Sequence, residues 1–157
     1  IHCAQAEGCS PVVRAIHQNR DYIEPEKPNT IAKSIAIGDP ADGPYAIKEV
    51  VRSGGWAESA NDDEILQAIE LLAEKEGIFT EPAGGTTLAV TIKLLRQQRI
   101  NPSERIVLGV TGNGYKTLEA VDSCPEVDTV LRPNLQIFRE WYENKKESST
   151  RSVEVSS

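Results

Sequence analysis

No methionine occurs anywhere in this sequence, which opens Ile1-His2-Cys3-Ala4. A cytosolic translation product ordinarily starts with one, and no basic region followed by a long apolar stretch marks a signal peptide. The expectation is that residue 1 lies inside a longer protein. Histidine is scarce: His2 and His17 are too few to build a metal cluster by themselves. The three cysteines, Cys3, Cys9 and Cys124, are odd in number and form no CxxC pair. That argues against a disulfide framework or a zinc site, and for a reducing, cytoplasmic compartment. No run approaches the roughly 18 apolar residues of a membrane span, so no membrane partner is expected. Positive charge is also short, with 17 Lys+Arg against 24 Asp+Glu and a net charge of −7. A phosphate-backbone binder needs a basic face, so nucleic acid is not an expected partner.

What is present is an ordinary globular mix, 39% hydrophobic and 26% charged, in 157 residues. That is long enough for one domain with a substantial core. IHCAQA (1–6) reads as a short buried strand. A helix follows over 9–19, with Ser10 placed to cap it, Pro11 at its first position, and Val12, Ala15 and Ile16 on one face. Residues 21–30 are a loop, 31–37 a strand or a helical turn, and GDPADGP (38–44) a turn cluster. A helix over 45–55 ends at a glycine pair. WAESA (56–60) reads as a strand. Asn61 and Glu64 then form a capping box for a helix whose buried stripe is Ile65, Ala68, Ile69 and Leu72, and which stops at Gly77. IFTEP (78–82) is short and extended, and a helix covers about 85–99. RIVLGV (105–110) is an apolar run of the kind parallel sheets bury on both faces. After Pro133 a terminal helix is expected, and 147–157 reads as a frayed tail. The alternation predicts an α/β fold, a mostly parallel sheet flanked by helices, with one domain over 1–133 and a terminal helix and tail over 134–157.

The stretch VLGVTGNGYKT (107–117) carries the chemistry. In an open α/β sheet, ligands sit beyond the carboxyl ends of strands, where this loop is expected to lie. Gly109 and Gly114 have the glycine spacing of a phosphate-binding P-loop, but Tyr115 displaces Lys116 by one residue from the register that pattern needs. A dinucleotide fingerprint begins at Gly112 and Gly114 and fails at Thr117. Three blocks in order, QAEGCSPVVRA (5–15), GIFTEPAGGTTLAV (77–90) and VTGNGYKTLEAV (110–121), resemble the second half of threonine synthases, fold-type-II pyridoxal-phosphate enzymes. TIAKSIAIGDP (30–40) supports the match, which covers about residues 1–121. Many family members carry a histidine and an acid where this chain has Asn113 and Thr117.

The resemblance implies pyridoxal 5'-phosphate as cofactor and places Thr111 opposite its ring nitrogen. A hydroxyl there cannot hold the nitrogen protonated as a carboxylate would, which gives a milder electron sink. Gly112 and Gly114 then permit close backbone approach. Ala6, Glu7 and Gly8 line the ring by the same resemblance, and Glu81 lies near the cofactor edge. The Schiff-base lysine and the phosphate loop belong, in such enzymes, to the first half of the polypeptide, and no lysine here sits in a matching context. The chain is therefore expected to be the C-terminal part of an enzyme that acts on a phosphorylated amino acid, inactive alone and homodimeric at full length. Two other readings stand beside it: a threonine or serine dehydratase of the same fold, and a non-catalytic binding domain.

Blander roles exist for the same residues. Thr111 alone reads as a turn cap, and Glu81 as a favourable charge near a helix start. Lys116 reads as a surface lysine. Cys9 has no neighbouring histidine and is not read as a nucleophile. Trp141 and Tyr142 read as packing of a terminal helix or a subunit contact.

Overall fold

A computed structural model describes residues 1–120 and 130–143. Cys124 and the tail expected over 147–157 lie outside the described residues. The chain divides into two compact units, Ile1–Asp122 and Ser123–Ser157.

The first unit is an α/β/α sandwich around a small parallel sheet. Strands β1 (Cys3–Ala6) and β2 (Ala57–Ala60) pair in parallel, with Cys3 opposite Ala57 and Ala6 opposite Ala60. Side chains alternate across the sheet, so each strand feeds two cores. On one face Ala57 packs with Val12, Val13 and Ile16 of α1 (Pro11–His17) and Ile47 and Val50 of α2 (Gly43–Arg52). On the other, Ala6 and Ala60 pack with Ile65 and Ile69 of α3 (Asp62–Glu76) and Val90 and Leu94 of α4 (Pro82–Arg96). Helices cover both faces, and the strand residues buried in the two cores, Ala6, Ala57 and Ala60, are small.

Helix α3 starts and stops where its sequence dictates. The Asn61 side chain accepts the Glu64 amide at 2.9 Å, and the Glu64 carboxylate accepts the Asn61 amide at 2.8 Å. Gly77 closes the helix at φ +66°, a left-handed conformation open to glycine at little cost. Glu64 has a second partner, the Lys93 ammonium of α4 at 2.9 Å, and that ammonium also donates to the Ser59 carbonyl at 2.8 Å. Burial alone would raise the Glu64 pKa, but the bonds from Lys93 and the Asn61 amide outweigh it and hold the carboxyl below its ordinary value. A depressed folded pKa contributes stability above the unfolded value, lost as pH falls through the folded one. Denaturant midpoints should therefore drop from pH 5 toward pH 3. Glu64→Gln, which keeps the amide cap without the charge, should flatten that slope. Glu58 is held low in the same direction, so part of the slope should remain. An unchanged slope in Glu64→Gln would rule the assignment out.

Three expectations need correction. Ser10 stands before α1 but makes no capping bond; its hydroxyl donates to the Glu7 carbonyl at 3.3 Å. Gln5 caps instead, its side-chain oxygen accepting the Val12 and Val13 amides at 2.9 and 3.0 Å. Helix α4 begins at Pro82, three residues earlier than expected, with Gly84 and Gly85 inside it. The run at 105–110 joins no sheet, and Val107 is 90% exposed. A cavity of about 260 Å³ separates it from the start of the chain and β1, floored by Val90, Thr91 and Leu94 of α4. An apolar run becomes a strand only with a neighbour in register, and here none of the described strands reaches it. The ambiguous stretch 31–37 resolves as a single 3₁₀ turn, Lys33–Ile35.

In the second unit, residues 135–143 are helical. Asn134 accepts the Gln136 amide at 2.9 Å, and Phe138 stacks near Trp141 and Tyr142, with ring centroids 5.9 and 6.0 Å apart.

Candidate functional site

Two loops of the first unit carry the candidate residues. The end of β1 and the turn after it hold Ala6, Glu7 and Gly8. Ala6 is buried, and its carbonyl accepts the Cys9 amide at 2.9 Å. Glu7 is exposed, and its amide donates to the Ala60 carbonyl at 2.7 Å. Gly8 is pressed on the next segment: its carbonyl accepts the Asn29 amide at 2.8 Å, and a Cβ there would lie 1.8 Å from the Asn29 oxygen. No side chain fits at that position.

The second group forms where the segment before α4 meets the glycine loop. Thr80 and Asn113 make an isolated antiparallel bridge, and the Gly114 amide donates to the Phe79 carbonyl at 3.1 Å. Phe79 and Tyr115 meet edge to face. Gly112 has φ +73°, and a Cβ on it would lie 2.2 Å from the Glu81 carboxylate. Glu81, half-buried at the N-cap position of α4, accepts a hydrogen bond from the Ser34 hydroxyl at 3.3 Å. Thr111 is exposed beside it, and its carbonyl faces the buried Thr80 hydroxyl at 3.4 Å. The structure thus brings Thr111, Gly112 and Glu81 together. It places Ala6, Glu7 and Gly8 apart from them, at the end of β1 and in the turn that follows, and the segment 29–34 touches both groups, through Asn29 and Ser34. That segment is anchored by Asp62, which accepts the Thr30 hydroxyl at 2.6 Å and the Ile31 amide at 3.2 Å.

Ser34 and Thr80 were not singled out by sequence reasoning. Ser34 sat in the ambiguous 31–37 stretch, and Thr80 lay between the more conspicuous Phe79 and Glu81. The cysteines near these loops are poor nucleophiles. Burial pushes the Cys3 thiol up to about 11, and burial with the nearby Glu26 carboxylate raises that of Cys9. Among the described residues no group of His, Cys, Asp and Glu could hold a metal ion. No described helix is long and apolar enough to cross a membrane.

The sheet has helices on both faces, and the glycine loop rests on the Glu81 carboxylate. The chain belongs to the pyridoxal-phosphate dependent enzyme family, which it matches over residues 1–112. Within that class it is similar to threonine synthases. It is 39% identical to that of Methanocaldococcus jannaschii over 86% of this chain and 34% of that protein. It is 38% identical to that of Halalkalibacterium halodurans over 83% of this chain and 35% of that protein. Among solved structures, threonine synthase from Escherichia coli overlays with a TM-score of 0.59 at 19% identity, covering 88% of this chain and 31% of that one. At that identity the overlay speaks for the fold alone. The chain spans about a third of the length of the curated relatives it matches.

The family's cofactor is pyridoxal phosphate. Gly8 is packed against the Asn29 carbonyl and Gly112 against the Glu81 carboxylate, so neither position has room for a side chain, and a neutral hydroxyl, Thr111, stands exposed beside Gly112.

Proposed function

We propose that these residues form the C-terminal part of a threonine synthase, which converts O-phospho-L-homoserine and water to L-threonine and phosphate. The observation that carries this reading is the 39% identity with a threonine synthase across 86% of the chain. When bound, pyridoxal phosphate supplies the electron sink that eases proton removal beside the amino group. In this reading the Thr111 hydroxyl meets the ring nitrogen as a neutral hydrogen-bond partner. Gly112 lets the backbone approach, Glu81 holds the loop at the cofactor edge, and Ala6, Glu7 and Gly8 form one wall. The lysine that anchors the cofactor and the grip on the substrate phosphate belong to residues outside this chain, and the full-length protein is a homodimer.

The test is product analysis. Full-length protein loaded with pyridoxal phosphate should turn O-phospho-L-homoserine into threonine with equimolar phosphate, and the 157 residues alone should release none. Oxobutanoate and ammonia from threonine, without threonine formation, would assign a dehydratase instead. Phosphate release by the 157 residues alone would refute the division of labour.

A further inference from the structure

The Thr80 hydroxyl is out of reach of water, at 1% exposure, and three backbone carbonyls surround it. Those of Glu81 and Gly112 lie at 3.3 Å and that of Thr111 at 3.4 Å. A hydroxyl has one proton, so it is shared among three acceptors at long range, and no single bond dominates. The Glu81 carbonyl has other donors, the Gly84 and Gly85 amides at 3.0 and 3.2 Å. The contribution of Thr80 therefore falls on residues 111 and 112. In extended chain, successive carbonyls point to opposite sides. The left-handed φ of Gly112 breaks that alternation, and both carbonyls come to face one donor.

Room for this hydroxyl is kept by Gly84. A Cβ on Gly84 would lie 2.1 Å from the Thr80 hydroxyl oxygen. Glycine is a poorer helix former than alanine, so its place in the first turn of α4 has a use that outweighs propensity.

We propose that Thr80 is a positioning residue for the glycine loop. By holding two successive peptide planes, it fixes the direction in which the Thr111 side chain leaves the backbone, and so the partner offered to the cofactor ring. This rests on the placing of Thr111 at the ring nitrogen given above. Valine is nearly the same shape and lacks the proton. Serine keeps the proton.

The experiment compares Thr80→Val, Thr80→Ser and Thr111→Ala in the full-length protein. The readouts are pyridoxal phosphate affinity, the absorption band of the bound cofactor, and amide exchange at Gly114 without cofactor. Thr80→Val should weaken cofactor binding about tenfold, shift the band in the same direction as Thr111→Ala, and speed exchange at Gly114. Thr80→Ser should stay within about twofold of the parent. If Thr80→Val is silent while Thr111→Ala is not, the inference fails and the site reading stands. If both are silent, both fail. If Thr80→Val acts while Thr111→Ala is silent, the hydroxyl of Thr111 is not what is positioned, and the inference fails with that assignment. A Thr80→Ser protein as impaired as Thr80→Val would show that shape, not the hydrogen bond, matters, and would overturn the inference.

Discussion

Leucine at position 85 should cost the first unit roughly 3 kcal/mol of stability, the upper end of what overpacking a tight contact costs. Gly85 lies in the first turn of α4 at its contact with α3. A Cβ there would meet Ile69 Cγ1 at 2.7 Å, the Ile65 carbonyl at 2.8 Å and Ile65 Cγ2 at 3.2 Å. Ile65 and Ile69 are fully buried, so neither has space to yield into. The carbonyl belongs to the α3 backbone, so relief requires the helix itself to move. That movement would strain the Glu64–Lys93 bridge between the same two helices. The better helix propensity of leucine returns at most about 1 kcal/mol. A urea titration of the 157-residue chain should show a lower midpoint for Gly85→Leu at an unchanged slope. Gly85→Ala should fall between the two. A midpoint equal to the parent would mean that α3 and α4 are not in the close packing described.

How much of this was legible in the sequence follows the distance over which each residue finds its partner. Asn61 and Glu64 satisfy each other three residues apart, so the start of α3 could be read directly. Gly77 ends it by a local backbone preference. The cap of α1 was misassigned because Gln5 reaches it from the preceding strand, where the local pattern offered Ser10. The start of α4 was set too late because a glycine pair reads as a poor helix opening. Its worth lies in tertiary contacts, Gly84 with Thr80 and Gly85 with Ile65 and Ile69. RIVLGV has the composition of a central strand, but pairing is a property of two segments and composition reports on one. In the candidate site, Thr111, Gly112 and Glu81 were named through a resemblance, and their juxtaposition spans some thirty residues of chain. Thr80 could not be found that way, because its significance is a hydroxyl buried among distant carbonyls.

The loop itself should be most sensitive at Gly112. Valine there would face two separate costs. At φ +73° a residue with a side chain is strained by about 1–2 kcal/mol, more when it is β-branched. Its Cβ would also fall 2.2 Å from the Glu81 carboxylate. That carboxylate is the end of a flexible side chain, so it can swing away, but in doing so it abandons Ser34. The backbone strain has no such outlet except a change in the peptide planes that Thr80 holds. Gly112→Val should therefore weaken pyridoxal phosphate binding by the full-length protein at least tenfold, since about 1.4 kcal/mol corresponds to a factor of ten. The urea midpoint of the 157-residue chain should move less than for Gly85→Leu, because the loop is exposed and no core residue need shift. A cycle with Glu81→Ala separates the two costs. Deleting the carboxylate removes the collision but leaves the dihedral strain, so the double variant should recover only part of the affinity lost by Gly112→Val. Full recovery would place the whole effect in the collision with Glu81. Wild-type affinity in Gly112→Val would remove the glycine loop from the cofactor site.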